Sequence, residues 1–413
     1  MRHLIPYVRH GAWGRVVAPA IAVSFSIDSR EGGKVAEQQR ADVAIVGGGV
    51  LGLAHAWHAA RAGKRVVLFE RDAQARGASA RNYGLLWPIG QPAGFLLQMA
   101  LRSRELWIDL LNQCKAPMPA SGSLHVCYRE DEEAVGKEFC SLGPAQGYTC
   151  EWLDAQHTLE KCNALRQKNL RGAVYSPLEI TVDPKVVLSE LPKLLKERYR
   201  TEIRYSSPVR RVEPPVVETS SEAWRVDSAI VCAGTDFETL FPGEFKTSGL
   251  LRCKQQMMRT APQPDNWRLG PALAAGLSMR FSGSFQICPS LDGLKKRIAS
   301  EMPRYEKWGI HALVSQGPRG ELTIGDSHEY GQNADFYDKV EIDDLILDYL
   351  DSYTSFHDRT ITQRWQGVYA YHPEKPFFLA TPMKGVLVIT GVGGAGMTLS
   401  LGLAERICKR FFE

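Results

Sequence analysis

Short β-branched apolar runs along the chain alternate with Ala- and Leu-rich stretches at helical spacing. Ala41-Asp-Val-Ala-Ile-Val46 predicts a buried strand, and Lys64-Arg-Val-Val-Leu-Phe-Glu70 a second. Between them Leu53 to Ala62 has no Pro or Gly and predicts a helix, with Gly63 where a left-handed C-cap residue is wanted. Asp183-Pro184 joins a good N-cap to a proline favoured at the first helical position, for a helix through about Lys196. Thr201–Tyr205, Val226–Cys232 and Val386–Thr390 predict strands, and Met397–Phe411 a last helix. The acidic run Glu341–Asp351 carries Leu345, Leu347 and Leu350 and reads as an amphipathic helix with a solvated face.

Residues 115–182 and 246–362 differ in character, with more polar alternation and longer loops. They predict a second domain inserted into a first made of 41–114, 183–245 and 363–413. Gly385 to Ala404 is twenty residues without a charge, the length of a membrane span. Six glycines split it into strand, turn and helix, so no membrane insertion is expected.

The 413 residues are 44% hydrophobic and 23% charged, which excludes collagen-like, fibrous and wholly disordered chains. Outside the first forty residues, bases and acids nearly balance, so neither nucleic acid nor an anionic membrane is an expected partner. Nine scattered cysteines without a CxxC pair argue against a disulfide framework or zinc site and fit a reducing, cytoplasmic compartment. No metal-ligand spacing stands out. In residues 1–40, Arg2, Arg9 and Arg15 precede the first acid, Asp28. That segment reads as a disordered tail or an early start; a mitochondrial presequence is the alternative.

Gly47, Gly49 and Gly52 form G-x-G-x-x-G between the first strand and helix. The first permits a tight turn, the second lets backbone approach a pyrophosphate, and the third allows close helix–strand packing. The helix N-terminus then faces the phosphates. Glu70 ends the second strand, where an acid hydrogen-bonds the adenosine ribose. Three further segments favour FAD over a nicotinamide. Ser79-Ala-Arg-Asn-Tyr-Gly84 is a turn soon after the second strand, and Ile230-Val-Cys-Ala-Gly234 is a strand ending in small residues. Gly391-Val-Gly-Gly-Ala-Gly396 opens the last helix, whose N-terminus could stabilise negative charge on a reduced flavin.

These segments, in this order, resemble the D-amino-acid oxidase / glycine oxidase superfamily of FAD-dependent oxidoreductases. The resemblance implies an α/β fold: a doubly wound, Rossmann-like FAD-binding domain of glutathione-reductase type, interleaved with a mixed-sheet α+β substrate domain. It places Gly47, Gly49, Val50 and Gly52 at the pyrophosphate, Glu70 at the ribose and Arg71 beside the adenine end. Ser79, Arg81, Asn82, Tyr83 and Gly84 would line the phosphate and isoalloxazine region. Val209 would contact adenine, Ala233 and Gly234 would pack near the cofactor, and Gly391, Gly393, Gly394, Gly396, Met397 and Thr398 would face the flavin pyrimidine. Some relatives attach flavin covalently through a His or Cys in the segments aligned with 79–84 or 365–369. Neither stands there, so non-covalent FAD is expected.

In the amino-acid oxidases a Trp-x-Gly-x-Arg run supplies the arginine that clamps the substrate carboxylate. Here the run is Trp365-Gln-Gly-Val-Tyr369. A narrower resemblance carries Arg81-Asn-Tyr-Gly-Leu-Leu-Trp-Pro-Ile-Gly-Gln91, Gly309-Ile-His, Gly325-Asp-Ser-His-Glu-Tyr-Gly331 and Gly393-Gly-Ala-Gly-Met-Thr398. It is to the FAD oxidoreductases associated with breakdown of 2-aminoethylphosphonate and its N-methyl form, which have no α-carboxylate. The expected reaction is oxidation of a small amine's C–N bond, with oxygen or another acceptor reoxidising the flavin. His311, His328, Tyr369, Trp365 and Arg280 are the candidate substrate contacts. Their other readings are structural histidines, aromatic packing and a solvated surface charge. A sarcosine-, glycine- or proline-type activity, and a non-enzymatic FAD-containing assembly factor, remain alternative functions. Cys232 reads as a small buried residue and not a redox centre. Nothing in the sequence indicates an oligomeric state.

Overall fold

The computed structural model describes residues 39–119 and 121–413, so the expectation for the N-terminal segment lies almost wholly outside the described residues. Two large sheets organise the chain. The first has six strands in the order Phe378–Met383, Val386–Thr390, Ser228–Val231, Val43–Val46, Val66–Phe69, Glu202–Arg204. All neighbours are parallel except Phe378–Met383, which returns antiparallel beside Val386–Thr390.

The central strand shows why a short apolar run becomes a parallel strand: all four residues are buried. Val43 and Ile45 face a core built from the helices Val50–Arg61, Phe95–Cys114, Pro184–Tyr199 and Gly396–Phe412. Ala44 and Val46 face the other way. That side is covered by a three-stranded antiparallel sheet, Val209–Glu213, Val216–Thr219 and Ala223–Arg225. One N-cap and one C-cap behave as the sequence predicts. Asp183 accepts from the Lys185 N–H with Pro184 at the first helical position, and Gly63 has φ +77°.

The second sheet has nine strands and is mixed. Its spine is Leu251–Pro262, flanked on one side by Glu321–Gly325 and Glu329–Gly331 and on the other by Ile361–Tyr371. The sheet continues through Leu313–Gln316, Ala272–Ala274, Ser123–Cys127, Gly172–Ser176 and Glu151–Asp154. Ala272–Ala274 and Ser123–Cys127 run parallel, and the other pairs are antiparallel. Strand Ile361–Tyr371 hydrogen-bonds along its length to the spine of this second sheet. A boundary drawn at residue 363 therefore cuts a continuous strand. No helix among the described residues is long and apolar enough to cross a membrane. The uncharged run 385–404 is the strand Val386–Thr390, a glycine turn and the start of the last helix.

Candidate active site

The first strand ends at Gly47, whose φ of +104° only glycine adopts without strain. A Cβ on Gly52 would overlap the Gly47 carbonyl oxygen, so the third glycine is what lets the helix start this close to the strand. The loop is then tied down by side chains. Glu70 accepts from the Gly48 N–H at 2.8 Å with one carboxylate oxygen and from the Asp72 N–H at 3.0 Å with the other. Each oxygen keeps a lone pair for a further donor. Ser79 Oγ accepts from the Val50 N–H at 2.9 Å, at the first turn of the helix. Arg71 is exposed and donates to Asp236.

A cavity of about 730 Å³ runs from this loop into the space beside the second sheet. Gly47, Gly49, Val50, Glu70 and Arg71 line one end, with Val209, Ala233 and Gly234. Ser79, Arg81, Asn82 and Tyr83 line its middle, together with Gly391, Gly393, Gly394, Gly396, Met397 and Thr398. Gly52 and Gly84 do not reach it. Gly52 serves helix packing, and the Gly84 carbonyl accepts from the Val182 N–H behind the wall. The last helix is anchored at its start: Thr398 Oγ1 accepts from the Trp87 N–H and the Met397 carbonyl from Trp107 Nε1. An elongated space with side-chain-free glycines and a helix N-terminus at each of two places suits a dinucleotide. The Cys232 thiol is pushed up by burial, as expected of a packing residue.

The far end is lined by Gln255, Phe281, His311, Leu313, Asp326, His328, Tyr330 and Tyr369. Tyr369 is buried on the strand Ile361–Tyr371, opposite Cys253. A Cβ on Gly394 would lie 3.6 Å from its hydroxyl, so it borders the glycine turn of the last helix. The Gly309 carbonyl lies 2.9 Å from His328 Nδ1, which fixes that ring. Phe281 packs against both imidazoles, at 5.0 Å from His311 and 5.1 Å from His328. Burial first, then the neighbouring His328 and His125, hold the His311 ring well below the ordinary imidazole range. His311 is thus neutral at physiological pH.

Two of the five candidate substrate contacts are corrected. Trp365 does not reach the cavity: its Nε1 donates to the Arg81 carbonyl at 3.3 Å, and Arg259 lies over its ring. Four residues of strand, roughly 13 Å, separate it from Tyr369 on the same face. Arg280 is not a solvated surface charge and does not line the cavity. Its side chain is 9% exposed and lies 3.7 Å from Glu306, while Phe281, the next residue on that helical turn, faces the cavity.

Sequence reasoning passed over Asp326, Gln255 and Tyr330. Asp326 is 2% exposed and lies between the two histidines, 3.7 Å from His311 Nδ1 and 3.8 Å from His328 Nε2. Gln255 Nε2 donates to Asp326 Oδ2, and also lies 3.3 Å from His328 Nε2. Burial raises the Asp326 carboxyl above its usual range, against lowering by His328 and by Tyr83. The signal was present in Gly325-Asp-Ser-His-Glu-Tyr-Gly331, where an acid two residues before a histidine points to the same face of an extended chain. His311, Asp326 and His328 form a cluster of metal-ligand type, which the sequence spacing did not suggest.

Comparison with known proteins agrees with this geometry. The chain is 30% identical over 146 residues to glycine oxidase of Geobacillus kaustophilus, covering 33% of this chain and 39% of that protein. It is 27% identical over 278 residues to an opine oxidase component of Agrobacterium tumefaciens, covering 63% and 73%. The match thus spans about two-fifths of the first relative's length. Among solved structures, glycine oxidase from Geobacillus kaustophilus superposes with a TM-score of 0.71 at 18% identity, over 90% of this chain and 95% of that one. L-proline dehydrogenase from P. horikoshii gives 0.69 at 16%, over 90% and 93%. At those identities the likeness is one of fold. The DAO family profile, described as FAD dependent oxidoreductase, matches residues 42–410, nearly the whole described chain, and the protein belongs to that family.

Proposed function

We propose that this chain oxidises the C–N bond of a small amine that lacks an α-carboxylate, with 2-aminoethylphosphonate or its N-methyl derivative as the substrate. The observation that carries this reading is Tyr369, a buried hydroxyl facing the cavity where a carboxylate-binding oxidase of this family would present an arginine. Bidentate recognition of a planar carboxylate needs the guanidinium fork, which a phenol does not supply. The hydroxyl groups of Tyr330 and Tyr369 suit a phosphonate, whose three oxygens accept from several directions. FAD, when bound, supplies the two-electron acceptor for the amine's α-carbon. Glu70, Ser79 and the glycine loop would hold its ribose and pyrophosphate. The helix beginning at Gly396 would favour negative charge on its pyrimidine ring. The substrate end orients the amine, and Phe281 and Leu313 make that end partly apolar.

The test is anaerobic reduction of the bound flavin, followed at its visible band. N-methyl-2-aminoethylphosphonate and 2-aminoethylphosphonate are expected to bleach it; sarcosine, glycine and D-alanine are not. Bleaching by glycine or D-alanine and not by the phosphonates would overturn the substrate assignment. A flavin that no amine reduces would favour a non-enzymatic role.

A further inference from the structure

The far end of the cavity contains two buried polar atoms without a hydrogen-bond partner, Asp326 Oδ1 and His311 Nε2, and the Tyr83 hydroxyl approaches the Asp326 carboxyl from the middle of the cavity. Unpaired buried polar atoms are rare because each costs about 1–3 kcal/mol, and a cluster of them inside a cavity marks where a polar ligand belongs. The charge pattern says which ligand. Among the described residues, Asp326 has no ion pair with Lys or Arg, only the two longer approaches to His311 and His328. Its second oxygen, Oδ2, is already used by Gln255. The remaining oxygen, Oδ1, is a buried acceptor that no Lys or Arg pairs with among the described residues.

On the reading of the substrate as a small amine, we infer that Asp326 Oδ1 is the group that binds the substrate nitrogen, accepting an N–H from its ammonium. Asp326 is then an amine-binding residue, and the site requires at least one N–H, so it takes primary and secondary amines and rejects quaternary ones. His311 Nε2 stands ready for a second N–H, and the Phe281 ring, packed against both imidazoles, offers an apolar wall for an N-methyl group. The pairing gains strength from the same burial that makes Asp326 costly when empty. Gln255 acts through Asp326 by holding Oδ2, which leaves Oδ1 free.

The experiment uses holoenzyme whose flavin has been reduced with dithionite, so that amines bind without turnover. Calorimetric titration compares each amine with its counterpart lacking nitrogen: 2-aminoethylphosphonate with ethylphosphonate, glycine with acetate, sarcosine with propionate. In the wild type, the amine of the accepted pair is expected to bind about thirtyfold tighter than its counterpart, the ratio of a charge-assisted hydrogen bond of about 2 kcal/mol. Asp326→Asn should bring that ratio near one while leaving flavin content and the affinity of the nitrogen-free ligand unchanged. Equal weakening of both ligands, or an unchanged ratio, overturns the inference. Asp326→Ser is the second variant should the asparagine lose flavin, and a wild-type ratio near one overturns the inference without either. If the phosphonate pair does not bind but glycine or sarcosine shows an Asp326-dependent ratio, the substrate assignment falls and the inference stands. If the phosphonates bleach the flavin with a ratio indifferent to Asp326, the reverse holds. Failure of every amine to bind overturns both.

Discussion

Tyr369 and Asp326 stand at the same end of the cavity and act in opposite senses. On the proposed reading, the first withholds the positive charge that a carboxylate would need, and the second offers an acceptor that an ammonium would use. This makes Tyr369→Arg an informative substitution. A guanidinium at that position is expected to tighten acetate binding to the reduced holoenzyme about tenfold, the gain of one charge-assisted pair. Calorimetric titration reads it directly, and unchanged acetate affinity would mean that position 369 does not address the acid end of the ligand. Sequence showed Tyr369 because the Trp-x-Gly-x frame around it was recognisable. It did not show Asp326, because one acid among several polar residues gives no sign of which way its carboxyl points. Trp365 and Arg280 failed for a related reason. Neighbourhood in sequence places residues on an element, but strand length carried Trp365 past the cavity, and helical rotation of about 100° per residue turned Arg280 away from it.

At the scale of elements, the glycine loop was legible because each part obeys a local rule. The β-branched strand, the glycines, the Ala-rich helix and the terminal acid follow one another within thirty residues, and their boundaries shift by only a few positions: the strand is Val43–Val46 and the helix Val50–Arg61. What the sequence did not reveal is that Glu70 holds the loop before it can hold any ligand. With both oxygens on backbone N–H groups, Glu70→Ala leaves two donors short of an acceptor. The apo chain is expected to lose about 2 kcal/mol of stability by urea titration, and FAD affinity to fall with it. An apo stability equal to wild type would confine Glu70 to the ribose. The nine-stranded sheet was far less legible. Its longest pairing joins Leu251–Pro262 to Ile361–Tyr371 across about a hundred residues, and no local pattern in either strand encodes its partner. The strand therefore went to the wrong side of a boundary placed by composition.

Across the whole molecule, burial of histidine sets a pH limit that neither the cofactor site nor the sheets would suggest. His55 and His58, on the first helix, are pushed down to about 4 by burial, and His125, on the strand Ser123–Cys127, to about 3. His125 is the most exacting case, since it is fully buried between Trp87 and Phe285 with neither ring nitrogen bonded. All three are neutral in the folded state and protonate in the unfolded chain below 6.5. Their stability is therefore full above 6.5 and is lost as pH falls from there toward the folded values, by about 1.4 kcal/mol per pH unit for each ring. Glu179 runs the other way. Burial raises it to about 7, so it favours the fold at low pH and withdraws that support between 4.5 and 7. Burial raises Glu132, Asp326 and Asp343 in the same sense as Glu179 and depresses His311 as it does the three rings, so the share of one ring is read only by removing it. His125→Leu, close in volume and unable to take a proton, isolates one ring's share. It is expected to raise stability by about 2 kcal/mol near pH 5 and to change it little near pH 8, where the wild-type ring is neutral in both states. Thermal melts at the two pH values measure the difference. An equal shift at both would mean that the effect of residue 125 lies in packing, and that the acid limit is set by the other rings.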